Sequence, residues 1–299
     1  MENDCYFVNS VGLLKSCIFH PNNSENENEY LIEMIKGKMM YDGMTIHVKG
    51  HHTPYFIEHI LPCINNRFIL VTGDSDTTIP DDITNHFHTL LSNPFLIKWF
   101  AQNYAQPTVH DNKYNKIFQL PIGLDYHTIS NNPHWYWRNT DEPSTPSGQE
   151  DILMNIRLNS QPFYNRELKI FVNFSLYNDR FNERIQSINN ISKDLLIGTM
   201  EKTPRTLIWN TMSRFSFVLS PKGNGMDCHR VWEILCLGCI PIVKGNVFKE
   251  LFTDLPVLSV HDWNEVNEEL LKNTIVEFRK RTFNYTKLTL KYWLDIINK

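Results

Sequence analysis

The chain has 299 residues, of which 41% are apolar and 21% are charged, and its formal net charge is -4. This composition is typical of a soluble globular protein with one large or two ordinary domains. The slightly acidic balance gives no general reason to expect nucleic acid or an anionic membrane as a partner. No apolar run approaches the roughly 20 residues that cross a bilayer, and the first residues, MENDCYFVNS, lack the regions of a signal peptide. No membrane anchor is therefore expected.

The six cysteines predict neither a zinc site nor a disulfide framework, which favours a reduced compartment. Together with the composition, this indicates a cytoplasmic protein of the size of an enzyme, or one in the cytoplasm of a host cell if a virus encodes it. The oligomeric state is left open. The cysteines are Cys5, Cys17, Cys63, Cys228, Cys236 and Cys239.

The first half of the chain alternates strand-like and helix-like segments. Apolar residues recur at helical spacing across 29–40, for example at Leu31, Ile35 and Met39. Short apolar runs such as RFILVTG are typical of buried strands. The predicted strands are 5–9, 44–50, 67–73 and 116–123, and the predicted helices are 29–40, 54–64 and 93–104.

A polar stretch divides the chain. Residues 133–150 end in DEPSTPSGQE, which offers almost nothing to bury and predicts a linker at 139–150. Trp135 and Trp137, just before it, either stack on a sugar ring or close the core of the first domain. The expected units are an acceptor-side domain at 1–138, the linker, a nucleotide-sugar-binding domain at 151–275, and a helix at 276–299 that packs back toward the first domain.

The alternation of strands and helices starts again in the second half. Two such runs predict an α/β fold of two Rossmann-like domains, whose parallel sheets face an interdomain cleft. Ligands of such sheets bind at the carboxyl ends of the strands. The predicted strands are 168–176, 216–221, 239–244 and 256–260, and the predicted helices are 204–215, 226–238, 247–252 and a terminal run at 263–298.

One segment, SPKGNGMDCHRVWEILCLGCIPIVK, places a glycine loop between a strand and a helix. Gly223 and Gly225 let the backbone approach a ligand closely, and the helix that follows offers free N–H groups to a diphosphate. Arg230 adds a charged fork, and Glu233 lies on the same helix face, where a carboxylate suits the hydroxyls of a ribose. The segment is neither a Walker loop nor a complete dinucleotide fingerprint. The alternative is a tight turn with a surface ion pair.

The same segment resembles the nucleotide-sugar-binding signature of exostosin-type glycosyltransferases, in which a P-x-G loop precedes an Arg, an acidic residue three positions on, and GCIPV. Its DCHR-x-WE form is most similar to the ribitol-phosphate xylosyltransferase branch and to short virus-encoded relatives. The resemblance covers about thirty residues. It implies the GT-B fold and an inverting, metal-independent transfer to a glycan acceptor. The implied donor is a UDP-sugar, with UDP-xylose the leading candidate.

By the same resemblance, Arg230 binds the diphosphate, Glu233 binds the ribose, and the loop lies beside the phosphates. Asn173 and Ser175, at the end of the strand 168–176, border the cleft. Arg180 and Arg184 follow; they either neutralise the diphosphate or form a solvated helix face. The expected donor-binding residues are Arg230, Glu233, Gly223, Asn224, Gly225, Lys222, His229, Asn173, Ser175 and Arg180.

Asp74 and Asp76 follow the buried strand 67–73 and are the expected catalytic carboxylates, with Asp76 favoured as general base. The same Asp-Ser-Asp can instead be read as the metal-binding motif of a GT-A transferase. A further alternative is a binding module that retains the donor site without catalysis. No metal or other cofactor is expected. Further acceptor-side candidates for the base are His51, His52, Asp125 and His127.

Overall fold

The computed structural model describes residues 1–21, 28–106, 114–134, 138–177, 179–198, 201 and 203–299. Trp135 and Trp137 lie outside these residues. Within the described part of the chain, no helix is both long and apolar enough to cross a membrane. All six cysteines are free, including Cys236 and Cys239, which have the CxxC spacing and are both buried.

In the described part of the chain, nine strands form two sheets, and every strand pairing found there within the sheets is parallel. The first sheet has the order β1-β2-β3-β4 and the second has the order β6-β5-β7-β8-β9. The strands are β1 Met44–Lys49, β2 Phe68–Gly73, β3 Leu96–Ala101, β4 Ile117–Gln119, β5 Glu167–Val172, β6 Leu196–Gly198, β7 Phe215–Leu219, β8 Ile240–Lys244 and β9 Leu258–Val260.

Helices connect most successive strands, as parallel pairing requires. Further helical turns of other types extend α3 to Cys63. The helices are α1 Ser10–Lys15, α2 Glu29–Lys36, α3 Thr53–Tyr55, α4 Thr84–Leu91, α5 His127–Asn131, α6 Pro146–Asn159, α7 Glu183–Asn190, α8 Arg205–Met212, α9 His229–Cys236, α10 Lys249–Phe252, α11 Glu268–Phe278 and α12 Leu290–Ile297.

The predicted fold class is confirmed: the chain is an α/β protein with two parallel sheets. The strands β2 and β7 are buried along their whole length, which is why they read as continuous apolar runs. The largest core cluster contains Val71 and Phe100 of the first sheet together with Val218 of the second and Trp232 of α9. One apolar core therefore joins the two halves of the molecule.

The helix predicted at 93–104 is wrong, because residues Leu96–Ala101 form β3 between β2 and β4. A short apolar run fits a buried helix or a buried strand equally well, and pairing on both edges selects the strand. The strand predicted at 5–9 is also wrong. Phe7 and Asn9 make only isolated bridges, Phe7 to Thr289 and Asn9 to Gly123 and Leu124.

Part of the predicted linker is helical. The segment 139–150 includes the first turns of α6, which begins at Pro146 with Thr145 as its N-cap; the Thr145 hydroxyl accepts from the Gly148 N–H at 3.2 Å. Thr before Pro at the first helical position is a helix-start signal, and it outweighs the polar composition here. Proline and serine in this stretch therefore mark a helix start as well as a connection.

The C-terminal segment of the chain contacts the N-terminal segment. The Val8 N–H donates to the Leu288 carbonyl and the Leu290 N–H donates to the Tyr6 carbonyl, both at 2.9 Å. The helix α12 then packs on α1. The terminal segment thus contacts the part of the chain that precedes the first sheet.

Candidate functional site

A cavity of about 830 Å³ lies at the carboxyl ends of the strands, and residues from both halves of the chain line it. Asp76, Ile122 and Asp125 come from the first half. The second half contributes the segments that follow β5, β6 and β7, and side chains of α8 and α9. The position agrees with the general rule that parallel sheets bind ligands beyond the carboxyl ends of their strands.

The glycine loop after β7 forms one wall of this cavity, through Gly223, Asn224 and Gly225. A Cβ on Gly225 would lie 3.1 Å from Asp76 Oδ1 and 3.2 Å from the Asn103 side chain. Such distances are tighter than ordinary contact, so glycine lets the loop approach the first half of the molecule closely. The loop and the segment after β2 therefore meet in one place.

Asn103 fastens this contact. Its Nδ2 donates to the Ser75 carbonyl at 3.0 Å, and its Oδ1 accepts from the Asp227 N–H at 2.8 Å. Asn103 has a positive φ of 54° and is fully buried. The Asp227 carboxylate accepts from the Ile122 N–H at 2.8 Å and from Trp232 Nε1 at 3.0 Å. Burial raises the pKa of Asp227 to about 7.

Two guanidinium groups line the cavity near the start of α9. Arg230 lies one residue inside the helix, and Arg184 of α7 donates from Nη1 to the Ser175 carbonyl at 2.5 Å. Burial lowers the pKa of Arg184, and the charge of Arg230 lowers it further. Arg184 Nε is buried and has no hydrogen-bond partner among the described residues. Two neighbouring positive charges beside a helix N-terminus are suited to an anion.

Glu233 lies deeper in the same cavity, between two arginines. Its Oε2 is 3.6 Å from Arg230 Nη1 and its Oε1 is 3.8 Å from Arg205 Nε. Both separations exceed hydrogen-bond length. The side chain is about nine-tenths buried, so the flanking charges compensate a carboxylate that is largely removed from water.

Asp125 is the anchor of Arg205. The Asp125 Oδ2 accepts from Arg205 Nη2 at 3.0 Å, and its Oδ1 accepts from the Thr128 N–H at 2.9 Å. Burial on its own would raise the pKa of Asp125, but the charges of Arg205, His127 and His229 outweigh it and hold the pKa below the usual range. Asp125 lines the cavity, as expected of an acceptor-side candidate, but as the buried partner of an arginine.

The two predicted catalytic aspartates point to different surroundings. Asp76 lines the cavity beside Gly225. Asp74 has a positive φ of 50°, lies outside the cavity lining, and pairs with Lys49 Nζ at 3.4 Å. The structure therefore brings only one of the two carboxylates to the cavity.

The remaining candidates divide by position. Asn173, Ser175 and His229 line the cavity. Lys222 pairs with Glu183 at 2.9 Å, and Arg180 donates to both oxygens of Asp82, across the cleft, at 2.7 and 2.9 Å. Neither of those two cations lines the cavity, and neither do His51, His52 and His127.

The imidazoles of His51, His52 and His127 have other neighbours. His51 and His52 have ring centroids 4.2 Å apart, and His51 Nδ1 lies 3.4 Å from Ser75 Oγ. His127 Nδ1 is 3.2 Å from Asp125 Oδ1. The His229 Nδ1 is 2.8 Å from the Gly123 carbonyl, which can only accept, so Nδ1 carries a proton there.

Sequence reasoning missed three residues of this site: Asn103, Arg205 and Asp227. Arg205 stands in PRTLIWNTM, a segment with no motif that sets this arginine apart. Asp227 precedes Cys228, the N-cap residue of α9, and its carboxylate accepts from the Ile122 N–H and Trp232 Nε1 instead of capping the helix. Within the described residues, no group of three His, Cys, Asp or Glu side chains lies together as metal ligands would.

No family model matches the chain, and no curated protein matches it. Among solved structures, it is similar to the α,α-trehalose-phosphate synthase (UDP-forming) of Burkholderia vietnamiensis, with 10% identity and a TM-score of 0.38 over 93% of this chain and 75% of the other. It is also similar to the α,α-trehalose 6-phosphate synthase of Burkholderia multivorans, with 10% identity and a TM-score of 0.36 over 93% and 73% of the two chains.

Proposed function

We propose that the chain is an inverting glycosyltransferase that moves a sugar from a UDP-sugar to a hydroxyl group of a glycan acceptor. The observation that carries the proposal is that one cavity brings together the glycine loop, Arg230 with Arg184, Glu233, and the Asp76 carboxylate from the other half of the chain. The glycine loop and the two arginines suit a diphosphate, Glu233 suits a ribose, and Asp76 suits an acceptor hydroxyl.

The diphosphate site consists of the N-terminus of α9 and the two arginines. Free N–H groups of the first helical turn and the positive end of the helix dipole favour an anion there. Arg230 and Arg184 supply charge-assisted hydrogen bonds, the strong class for phosphate oxygens. In this assignment the loop residues Gly223, Asn224 and Gly225 lie beside the phosphates, with Asn173 and Ser175 at the border of the cavity.

The proposed reaction needs one base and one leaving-group site. The acceptor oxygen forms a bond to the anomeric carbon, the bond from that carbon to the diphosphate oxygen breaks, and UDP leaves with the electron pair. Asp76 takes the proton of the acceptor hydroxyl. Arg230, Arg184 and the start of α9 stabilise the charge that develops on the diphosphate. These residues supply both functions, so no metal is assigned to the step.

The finer assignments rest on the sequence resemblance. The DCHR-x-WE segment is the reason to name an exostosin-type enzyme and to place UDP-xylose first among donors. The alternative, in which Asp74 and Asp76 together bind a metal, is disfavoured because the two side chains have different surroundings. Asp74 pairs with Lys49, whereas Asp76 lines the cavity.

The test is release of UDP from a panel of UDP-sugars, since slow donor hydrolysis needs no known acceptor. The wild-type protein should release UDP, fastest from UDP-xylose, while Arg230→Ala and Glu233→Ala should lose most of this activity. Arg281→Ala, at an exposed arginine outside the cavity, is the matched control and should behave as wild type. Hydrolysis of GDP-sugars alone, or equal activity in all variants, would contradict the proposal.

A further inference from the structure

Arg205, at the start of α8, is a buried guanidinium that none of the steps above uses. Its side chain is 8% exposed, and it lines the cavity beside Glu233. Nη2 donates to Asp125 Oδ2 at 3.0 Å, and Nη1 donates to Gln149 Oε1 at 2.9 Å and to the Asp125 carbonyl. The plane of the guanidinium is therefore fixed by three oxygens.

These anchors are themselves fixed. Gln149 is buried, and its Nε2 donates to the carbonyls of Tyr126 and Ser144, at 3.0 and 2.8 Å, so its Oε1 must face Arg205. Arg205 also lies over the ring of Trp209, with 5.7 Å from Cζ to the ring centroid. Hydrogen bonds along its edge and the Trp209 ring against its face therefore restrict the movement of the Arg205 guanidinium.

Arg205 presents its remaining edge, Nε, to Glu233. The distance from Nε to Oε1 is 3.8 Å, while Arg230 faces the other oxygen at 3.6 Å. Among the residues that the structure describes, none donates a hydrogen bond to the Glu233 carboxylate, although it is mostly buried. The two arginines balance its charge and leave its lone pairs available to a ligand.

We propose that Arg205, anchored by Asp125, is a positioning residue that holds the Glu233 carboxylate ready to accept two hydrogen bonds from the vicinal hydroxyls of the nucleotide ribose. The inference rests on the proposed function and deepens it, because it makes a ribose with both hydroxyls the preferred ligand. A 2′-deoxyribose has only one of the two donors, so one acceptor site of a buried carboxylate would stay unfilled.

The consequence is a selectivity that can be measured separately from binding itself. The wild-type protein should bind UDP about tenfold or more tightly than 2′-deoxy-UDP, the scale of a hydrogen bond to a charged group. Glu233→Gln should lose most of this preference. Arg205→Lys keeps the charge but not the fixed fork, so it should weaken UDP binding with little change for 2′-deoxy-UDP.

The experiment is calorimetric titration of UDP and 2′-deoxy-UDP into the wild type, Arg205→Lys, Glu233→Gln and the double variant. Arg205→Lys should reduce the preference for UDP from about tenfold to about threefold or less, because the Glu233 carboxylate is then less firmly positioned for the second ribose hydroxyl and that hydrogen bond is weakened. The double variant should show no further loss of preference. Arg214→Lys, at an exposed arginine just after α8, is the control and should keep the wild-type preference.

Two results would overturn the inference. An equal loss of affinity for both nucleotides in Arg205→Lys would mean a merely structural or electrostatic role, and an unchanged preference would mean no role in ribose recognition. If Arg205→Lys does not fold, Asp125→Asn, which keeps the shape of the anchor and removes its charge, is held to the same two criteria. A wild type that binds UDP with no preference over 2′-deoxy-UDP overturns this inference alone, whereas no UDP binding at all overturns the proposed function with it.

Discussion

The buried carboxyl group of Asp227 should make the stability of the protein depend on pH in a way that one substitution removes. Asp227 is 2% exposed, between the glycine loop and the first half of the molecule, and burial raises its pKa to about 7. In the unfolded chain the same group has a pKa of about 3.8. The folded state therefore binds more protons than the unfolded state between these two values.

The two pKa values determine how the contribution of Asp227 to the free energy of unfolding changes with pH. The stabilising contribution of Asp227 is complete below pH of about 4 and is lost as the pH rises through about 7. A difference of about three pKa units corresponds to about 4 kcal/mol. Asp227→Asn cannot ionise, yet it keeps a side-chain oxygen that can accept from the Ile122 N–H or from Trp232 Nε1. The substitution should remove this part of the pH dependence.

The assay is urea unfolding of the wild type and Asp227→Asn at several pH values between 4.5 and 8.5. As the pH rises, the free energy of unfolding of Asp227→Asn should increase relative to that of the wild type, by up to about 4 kcal/mol in total. Asp295→Asn, at an exposed aspartate of α12, is the control and should give a nearly constant difference. Parallel pH curves for the wild type and Asp227→Asn would mean that ionisation of Asp227 does not control this pH dependence.

Three further predictions concern the site. Asp76→Asn should cut the rate of sugar transfer by about two orders of magnitude or more, as expected for loss of a general base. The affinity for UDP, measured by calorimetry, should stay nearly unchanged. Simultaneous loss of UDP binding would contradict the role of Asp76 as base. A chelator should leave wild-type transfer intact, and abolished transfer would make Asp74 and Asp76 a metal site. Arg230→Ala should weaken UDP binding by about 1.5–3 kcal/mol in calorimetry. Affinity close to that of the wild type would return the motif to a structural role.

The glycine loop and α9 were predictable because they are contiguous. The strand β7, the loop and the helix follow one another along the chain, so local spacing alone places Arg230 and Glu233 on one face beside Gly223 and Gly225. The helix dipole and the glycine conformations act over the same short range. Local chemistry therefore determines this part of the site.

The rest depends on contacts between segments far apart in the sequence. Arg205 meets Glu233 only because α8 and α9 lie against the same sheet, and Asn103 reaches Asp227 only through the contact between the two halves. The strand β3 shows the same limit at the level of the fold. Its apolar residues are compatible with a helix or a strand, and only pairing with β2 and β4 on its two edges determines that it is a strand.

Whether the cavity binds UDP through the start of α9 and Glu233 can be seen in a crystal structure of the protein with UDP. The diphosphate should lie between Arg230 and Arg184, and the ribose hydroxyls should donate to the Glu233 carboxylate. A UDP molecule bound beside Asp74 and Asp76 through a metal ion, with the glycine loop empty, would contradict this mode of binding.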